Sequence, residues 1–258
     1  MLKQISLLQD YVHGVLAQSD KKNVRELDLS AEEIYQLREL CTALEPLSSA
    51  MQDIGGESYC SISLAHPLLH KLSSKYLLAT EADTPVVYDF KTAAMEDLKE
   101  RYTDPGVKSL LAAATALDPR FRDFQYIRER EERAAAVSYA KEQLQLYAAQ
   151  VTDDEVNDVT RDRARDDDDD GDDADGRADQ QQLSMEQQIA NYYSSATSSS
   201  TDPMDYWRGS AVNHSRLSAL AKHLLAIPGS SVPSERMFST AGQIVTDQRS
   251  RLAPDSVS

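Results

Sequence analysis

The segment that decides how this chain is organised lies near its C-terminal end and reads Leu225-Ala226-Ile227-Pro228-Gly229-Ser230-Ser231-Val232-Pro233-Ser234-Glu235-Arg236-Met237-Phe238-Ser239. It begins as the end of an apolar helix and passes through a Pro-Gly-Ser turn. A new helix then opens near Ser234, because serine followed by an acidic residue is typical of a helix start. The segment therefore predicts two helices joined by a sharp turn, the second of which runs to about Val245.

The residues before this segment predict the first of the two helices. Pro203, Tyr206 and Trp207 open an ordered region, and apolar residues then recur at helical spacing. These apolar residues are Leu217, Leu220, Ala221, Leu224 and Leu225. The pair Tyr206-Trp207 could stack on nucleic-acid bases, but an aromatic pair in front of an amphipathic helix is more typical of core packing. We therefore predict that Trp207 belongs to the core.

Residues 151–202 differ in composition from the rest of the chain. Residues 151–179 carry fourteen Asp or Glu and four Arg, a net charge of −10, and residues 166–170 are all aspartate. Like charges repel, and few apolar side chains offset the entropy of ordering, so residues 151–202 are predicted to be an acidic disordered linker with a short helix near residues 185–193. The aspartates lack the glycine and glutamate order of an EF-hand, and we predict no metal site there.

Residues 1–150 are predicted to form successive helices. Ser30-Ala31-Glu32-Glu33 is a capping box, in which the Ser30 hydroxyl accepts from the Glu33 amide and the Glu33 carboxylate reaches back. Pro67 suits the first turn of a helix, and Thr84-Pro85 opens another. Asp104-Pro105 ends that helix, and a long charged helix is expected from about Gln125 to Gln150. Apolar and polar residues almost never alternate, so no large sheet is expected in this half.

The overall composition restricts the class of partner. The chain has 258 residues and a net charge of −16 at pH 7, which disfavours attraction to nucleic-acid phosphates. Cys41 and Cys60 lie in no CxxC or Cys-His cluster, so two free thiols are expected. Residues 1–5 lack the apolar run of a secretory signal, and no stretch approaches a membrane span, which needs about eighteen apolar residues. We expect a soluble intracellular protein.

Two further polar patterns admit more than one interpretation. His66 and His70 have the i,i+4 spacing of a zinc pair, but no glutamate follows His66 and no third ligand is evident, so ordinary helix-surface histidines are predicted. Asp118, which precedes Pro119, could take part in chemistry, but the pair is more typical of a turn that ends a helix.

Several short motifs occur in a definite order along the chain. They are Ala43-Leu44-Glu45-Pro46-Leu47, Ser61-Ile62-Ser63 with Pro67, Asp89-Phe90-Lys91, Leu98-Lys99-Glu100-Arg101-Tyr102, Leu117-Asp118-Pro119-Arg120-Phe121 followed by Arg122, Tyr206-Trp207, and the C-terminal segment continued by Ala241-Gly242 and Thr246-Asp247-Gln248-Arg249-Ser250. In this order they resemble the hobo/Activator-type (hAT) transposases and the host proteins derived from them, in particular the group with a BED zinc finger. The motifs cover most of the chain outside the acidic linker.

This resemblance implies a mainly α chain. Residues 1–150 would be a helical insertion-type domain, and residues 203–258 would hold the C-terminal portion of an RNase H-like fold with its dimerisation helices, truncated at Ser258. In that family three carboxylates hold two divalent metals for phosphodiester transfer. Glu235 matches the third carboxylate, whereas the first two aspartates and the zinc finger are expected before Met1. Glu235 is also the acidic residue that a helix dipole favours behind an N-cap at Ser234.

The function implied is that of a non-catalytic interaction protein, which needs no cofactor; a divalent metal would serve only a complete transposase. Its partners would be a second copy or related hAT-type chains in the nucleus, and neither DNA nor a membrane. The alternative is a fragment of an active DDE-type DNA transposase whose first two catalytic aspartates and zinc finger lie outside this chain.

The interface implied by the resemblance lies in the C-terminal region. Because the earlier half of the RNase H-like sheet is expected to be absent, the apolar residues of this region should be exposed until a second copy covers them. The interface residues would be Leu220, Leu224, Leu225, Ile227, Glu235, Arg236, Met237, Phe238 and Ile244.

Overall fold

The computed structural model describes residues 2–18, 28–56, 59–166, 183–196, 201–232, 234–236 and 239. Their helices are α1 (Leu2–Ala17), α2 (Ala31–Ile54), α3 (Ile62–Lys71), α4 (Pro85–Arg101), α5 (Pro105–Ala116), α6 (Arg130–Ala148), α7 (Asp153–Asp166), α8 (Met185–Ser194), α9 (Pro203–Ser210) and α10 (Ser215–Leu225), and a π-helix, Leu72–Tyr76, follows α3. None of the described residues lies in a strand. The prediction of a mainly α chain is therefore confirmed.

The chain divides into two compact units. The first comprises Met1–Met51 and Leu68–Asp104, and the second comprises Gln52–Pro67 and Pro105–Ser258. The sequence predicts a boundary at residue 150, but the boundaries of the two units lie elsewhere. α5 and α6 pack against α10 and belong with the C-terminal helices.

The first unit has a small apolar core. Ala50, Leu72 and Leu77 are buried, and the half-buried residues packed against them are Leu47, Leu68, Tyr76, Phe90, Ala94, Met95 and Leu98. The predicted capping box opens α2: the Glu33 amide donates to Ser30 Oγ over 3.3 Å, and the Ser30 amide donates to the Glu33 carboxylate over 2.8 Å. The helix start predicted at Thr84-Pro85 is confirmed as well, because α4 begins at Pro85.

α3 begins earlier than predicted, at Ile62, so Pro67 lies inside the helix. A proline has no N–H to donate to the carbonyl four residues before it, and here that carbonyl belongs to Ser63. The Thr115 hydroxyl of α5 donates to the Ser63 carbonyl over 3.4 Å. A tertiary contact thus occupies the acceptor that the proline leaves open.

α6 begins at Arg130, later than predicted. The residues before it form consecutive turns, in which the Phe124 amide donates to the Phe121 carbonyl and the Ile127 amide donates to the Phe124 carbonyl. Phe124, with a φ of 50°, and Ile127 are both buried. Burying these two apolar side chains favours the turns over a longer helix.

α10 lies at the centre of the second unit and contacts α5, α6, α7, α8 and α9. Its buried residues are Ser215, Leu217, Ser218, Ala219, Leu220, Ala221, Leu224 and Leu225. A helix buried on most of its circumference needs apolar or small side chains all around it. Alanines supply these on both sides of the contact with α5, where Ala113, Ala114, Ala116, Ala219 and Ala221 have no exposed surface.

α7 is a helix in the segment for which the composition predicts disorder. Its first turn is a capping box, in which the Thr152 amide donates to the Glu155 carboxylate over 2.7 Å, and this hydrogen bond lowers the pKa of Glu155. Val156 is 2% exposed. Polar contacts join α7 to α10: Arg216 with Asp153 at 2.5 Å, Lys222 with Asp158 at 2.9 Å, and His223 with Glu155 at 3.5 Å.

The prediction of disorder is therefore wrong for α7. Basic residues on α10, more than sixty positions away, supply positive charges that balance acidic side chains of α7. The composition of the acidic run alone does not reveal these partners. The predicted short helix near residues 185–193 is confirmed as α8, and it is packed rather than isolated, since Ile189 and Tyr192 are buried. Residues 167–182 and 197–200 of the predicted linker lie outside the described residues.

Candidate functional site

The predicted interface residues lie in different environments. Leu220, Leu224 and Leu225 of α10 are at most 8% exposed, so the expectation that they form an exposed surface is wrong. They pack inside their own chain because α10 is surrounded by the other helices of its unit. Among the other predicted interface residues, Ile227 is half-buried, Glu235 and Arg236 are exposed, and Met237, Phe238 and Ile244 lie outside the described residues.

Trp207 is a core residue, as predicted. It is 2% exposed, and its indole Nε1 donates to the Leu117 carbonyl over 2.6 Å. Its ring lies 4.8 Å from the ring of Tyr192 and 5.1 Å from that of Tyr206, centroid to centroid. Tyr192 is itself fully buried, and its hydroxyl donates to the Ala116 carbonyl over 2.8 Å. These contacts attach α8 and α9 to the end of α5.

Asp118 forms a buried ion pair. Its carboxylate has no exposed surface and accepts from Arg120 Nε over 2.9 Å, from Arg120 Nη2 over 2.7 Å and from Ser63 Oγ over 2.6 Å. The sequence predicts only a turn that ends a helix, and Asp118 lies two residues after Ala116, the last residue of α5. Its carboxylate also fixes that turn to α3.

Arg122 is a buried residue whose role the sequence does not reveal. It is 4% exposed, and its guanidinium donates to the carbonyls of Tyr192 and Ser195 and to Ser195 Oγ. Its charge also lies 4.9 Å from the centre of the Tyr192 ring, within reach of a cation–π interaction. Arg122 therefore supplies hydrogen-bond donors to carbonyl groups at the C-terminal end of α8. The only sequence signal is an arginine beside the Leu117–Phe121 motif.

His66 belongs to an aromatic cluster of the second unit. Its Nδ1 lies 2.7 Å from the Tyr126 hydroxyl, and its ring meets the ring of Phe124 edge to face at 5.6 Å. Burial raises the pKa of Tyr126. These contacts give His66 a packing role, and the described part of the chain holds no group of three or more His, Cys, Asp and Glu that could bind a metal ion.

The turn after α10 contacts the loop between α2 and α3. The Gly229 amide donates to Ser61 Oγ over 2.9 Å, and Ser61 is 4% exposed. Further along, Arg236 Nη1 lies 3.4 Å from the Gly55 carbonyl. Both ends of this stretch of the C-terminal segment therefore lie against the same loop.

Glu235 is exposed and accepts a hydrogen bond from Ser231 Oγ over 2.6 Å. Its amide donates to the Ser231 carbonyl over 3.0 Å. Helical conformation begins at Val232, so Ser234 lies within the helix and the prediction that it is the N-cap is wrong. Ser231, at the end of the Pro-Gly-Ser turn, occupies the N-cap position that the sequence assigns to Ser234.

Comparison with known proteins assigns the C-terminal third of the chain. Residues 180–258 match the hAT family C-terminal dimerisation region. The chain is also similar to the zinc finger BED domain-containing protein 4 of Homo sapiens, with 25% identity over 239 residues, which cover 89% of this chain and 20% of that protein. The chain thus spans about one fifth of the length of the curated relative it matches. None of the described helices is long and apolar enough to cross a membrane.

Proposed function

We propose that this chain, an hAT-family transposase-derived protein, associates with a second copy or with a related hAT-type chain through the segment that follows α10, and that it catalyses no reaction. The match of residues 180–258 to the dimerisation region carries the proposal. In the structure this region includes α8, α9 and α10, which pack with α5, α6 and α7 in the second unit.

The buried position of α10 changes which residues we assign to the interface. Leu220, Leu224 and Leu225 support the region from inside, since they are already covered by the same chain. Glu235 and Arg236 lie at the surface of the following helix. We propose that the interface consists of these two residues together with Met237, Phe238 and Ile244, whose apolar side chains the sequence places in the same segment.

A pair of substitutions tests this assignment. Phe238→Asp places a charge in the proposed interface and is expected to weaken self-association by at least about tenfold, as truncating an aromatic anchor does. Val212→Asp is the matched control, because Val212 is 46% exposed and lies outside the proposed interface. Light scattering after size-exclusion chromatography measures the dimer fraction. Equal dimer fractions for the two variants would contradict the assignment.

The alternative function, part of an active DDE-type DNA transposase, rests on the match of Glu235 to one catalytic carboxylate. Phosphodiester transfer of this type needs a cluster of carboxylates on two metals, and Glu235 is the one residue of this sequence that we match to that cluster. We therefore predict that the purified chain neither cleaves nor joins DNA with magnesium or manganese. Metal-dependent strand transfer that Glu235→Ala abolishes would establish the alternative.

The remaining parts of the proposal follow from the family. We propose that the C-terminal region derives from an RNase H-like fold, that residues 1–150 derive from its helical insertion, and that the protein acts in the nucleus. With a net charge of −16, the chain is not expected to bind DNA by itself. Its self-association requires no cofactor.

A further inference from the structure

The loop between α2 and α3 holds the turn after α10 through a hydrogen bond from a backbone amide of the turn to a side-chain hydroxyl of the loop. Gly229 and Ser61 are 168 positions apart, and the 2.9 Å hydrogen bond between the Gly229 amide and Ser61 Oγ is part-buried. An amide removed from water needs an acceptor, and loss of that acceptor costs more than the hydrogen bond itself contributes. The Ser61 hydroxyl therefore satisfies a backbone amide of the turn.

Gly229 is required for space. A Cβ atom at this position would lie 3.0 Å from the carbonyl carbon and oxygen of Ser61 and 2.9 Å from Ile54 Cγ2. Two of these three atoms belong to the backbone and cannot move aside as the end of a side chain would. No described glycine has a positive φ, so the glycine is needed for close approach and not for an unusual backbone conformation.

We infer that Ser61 and Gly229 are positioning residues that fix the direction in which the chain leaves α10 and enters the following segment, which holds the proposed interface. The inference rests on the proposed function and adds a residue from the other end of the sequence to it. Arg236 supports it, because its guanidinium lies 3.4 Å from the Gly55 carbonyl of the same loop. Ser61 and Gly55 thus contact the chain at Gly229 and at Arg236, and these two contacts set the direction of the chain as it leaves α10.

The experiment compares Gly229→Ala and Ser61→Ala with Gly209→Ala. Gly209 lies on α9 in the same unit, and a Cβ atom there would have no neighbour within 4 Å. Hydrogen exchange is measured at the amides of residues 230–232 and 234–236, and sedimentation measures self-association. Both test variants are expected to exchange at least about tenfold faster in this segment and to associate about tenfold more weakly, whereas Gly209→Ala should match the wild type.

Each readout can overturn a different statement. Exchange that is unchanged in both test variants would show that Ser61 and Gly229 do not stabilise the segment that follows α10. Faster exchange with unchanged association would show that the contact does not position the interface. A wild type that does not associate would overturn the proposed function, and the exchange data would then still show whether the loop orders residues 230–236. Far-UV circular dichroism confirms that each variant keeps the helical content of the wild type.

Discussion

Trp207→Ala is expected to lower the free energy of unfolding of the second unit by about 3–5 kcal/mol, the range for removing a large aromatic side chain from a core. The indole is 2% exposed and packs against Tyr192 and Tyr206. It also lines a partly open pocket of about 130 Å³ with Ala211 and Ser218, so the substitution would enlarge that pocket. Far-UV circular dichroism in urea measures the change, because Trp207 is the one tryptophan and its fluorescence disappears with it.

Trp207→Phe separates packing from hydrogen bonding. Phenylalanine keeps a ring at this position but leaves the Leu117 carbonyl without the donor that now lies 2.6 Å away. A buried acceptor without a partner costs about 1–3 kcal/mol, so this variant should be destabilised less than Trp207→Ala. An alanine variant as stable as the wild type would show that the Trp207 cluster does not stabilise this unit.

Asp118→Ala is expected to cost about 3–5 kcal/mol, the range for removing one partner of a buried ion pair. The Arg120 side chain is 25% exposed, and the substitution would leave its guanidinium in the protein without a counter-charge. The Ser63 hydroxyl would also lose the shorter of its two hydrogen bonds, although it could still donate to the Cys60 carbonyl over 3.0 Å. Urea unfolding again measures the change.

Asp205→Ala is the matched control for this prediction. Asp205 and Arg208 form an ion pair of 2.9 Å in the same unit, but their side chains are 70% and 58% exposed. Exposed pairs contribute up to about 1 kcal/mol, because water and salt screen them. Equal destabilisation by the two aspartate substitutions would contradict the view that burial gives Asp118 its effect.

Local chemistry was enough to predict where several helices begin. The Ser30–Glu33 capping box and the Thr84-Pro85 pair each carry their own start signal, and both mark helix starts in the structure. The prediction was wrong where a distant residue supplies the partner. Pro67 lies inside a helix because Thr115 approaches the carbonyl it leaves open, and α7 is held by basic residues on α10.

The residues of the candidate site follow the same pattern: local signals could be predicted from the sequence, and contacts with distant residues could not. The core position of Trp207 could be predicted, because an aromatic pair before an amphipathic helix is a local pattern. The burial of Leu224 could not, since the sequence does not show that α5 to α9 surround α10. Ser61 and Arg122 were missed for a similar reason: each contacts backbone that is at least 70 positions away. Periodicity describes one helix face and carries no information about contacts at such separations.

Sedimentation velocity of the unmodified chain tests the central claim, self-association through the C-terminal region, most directly. The measurement covers chain concentrations from about 1 to 100 μM, which spans the affinities expected of a modest interface. We predict a species of twice the mass of one chain, whose fraction rises with concentration and falls in Phe238→Asp. A single species with the mass of one chain at every concentration, unchanged by that substitution, would contradict the account.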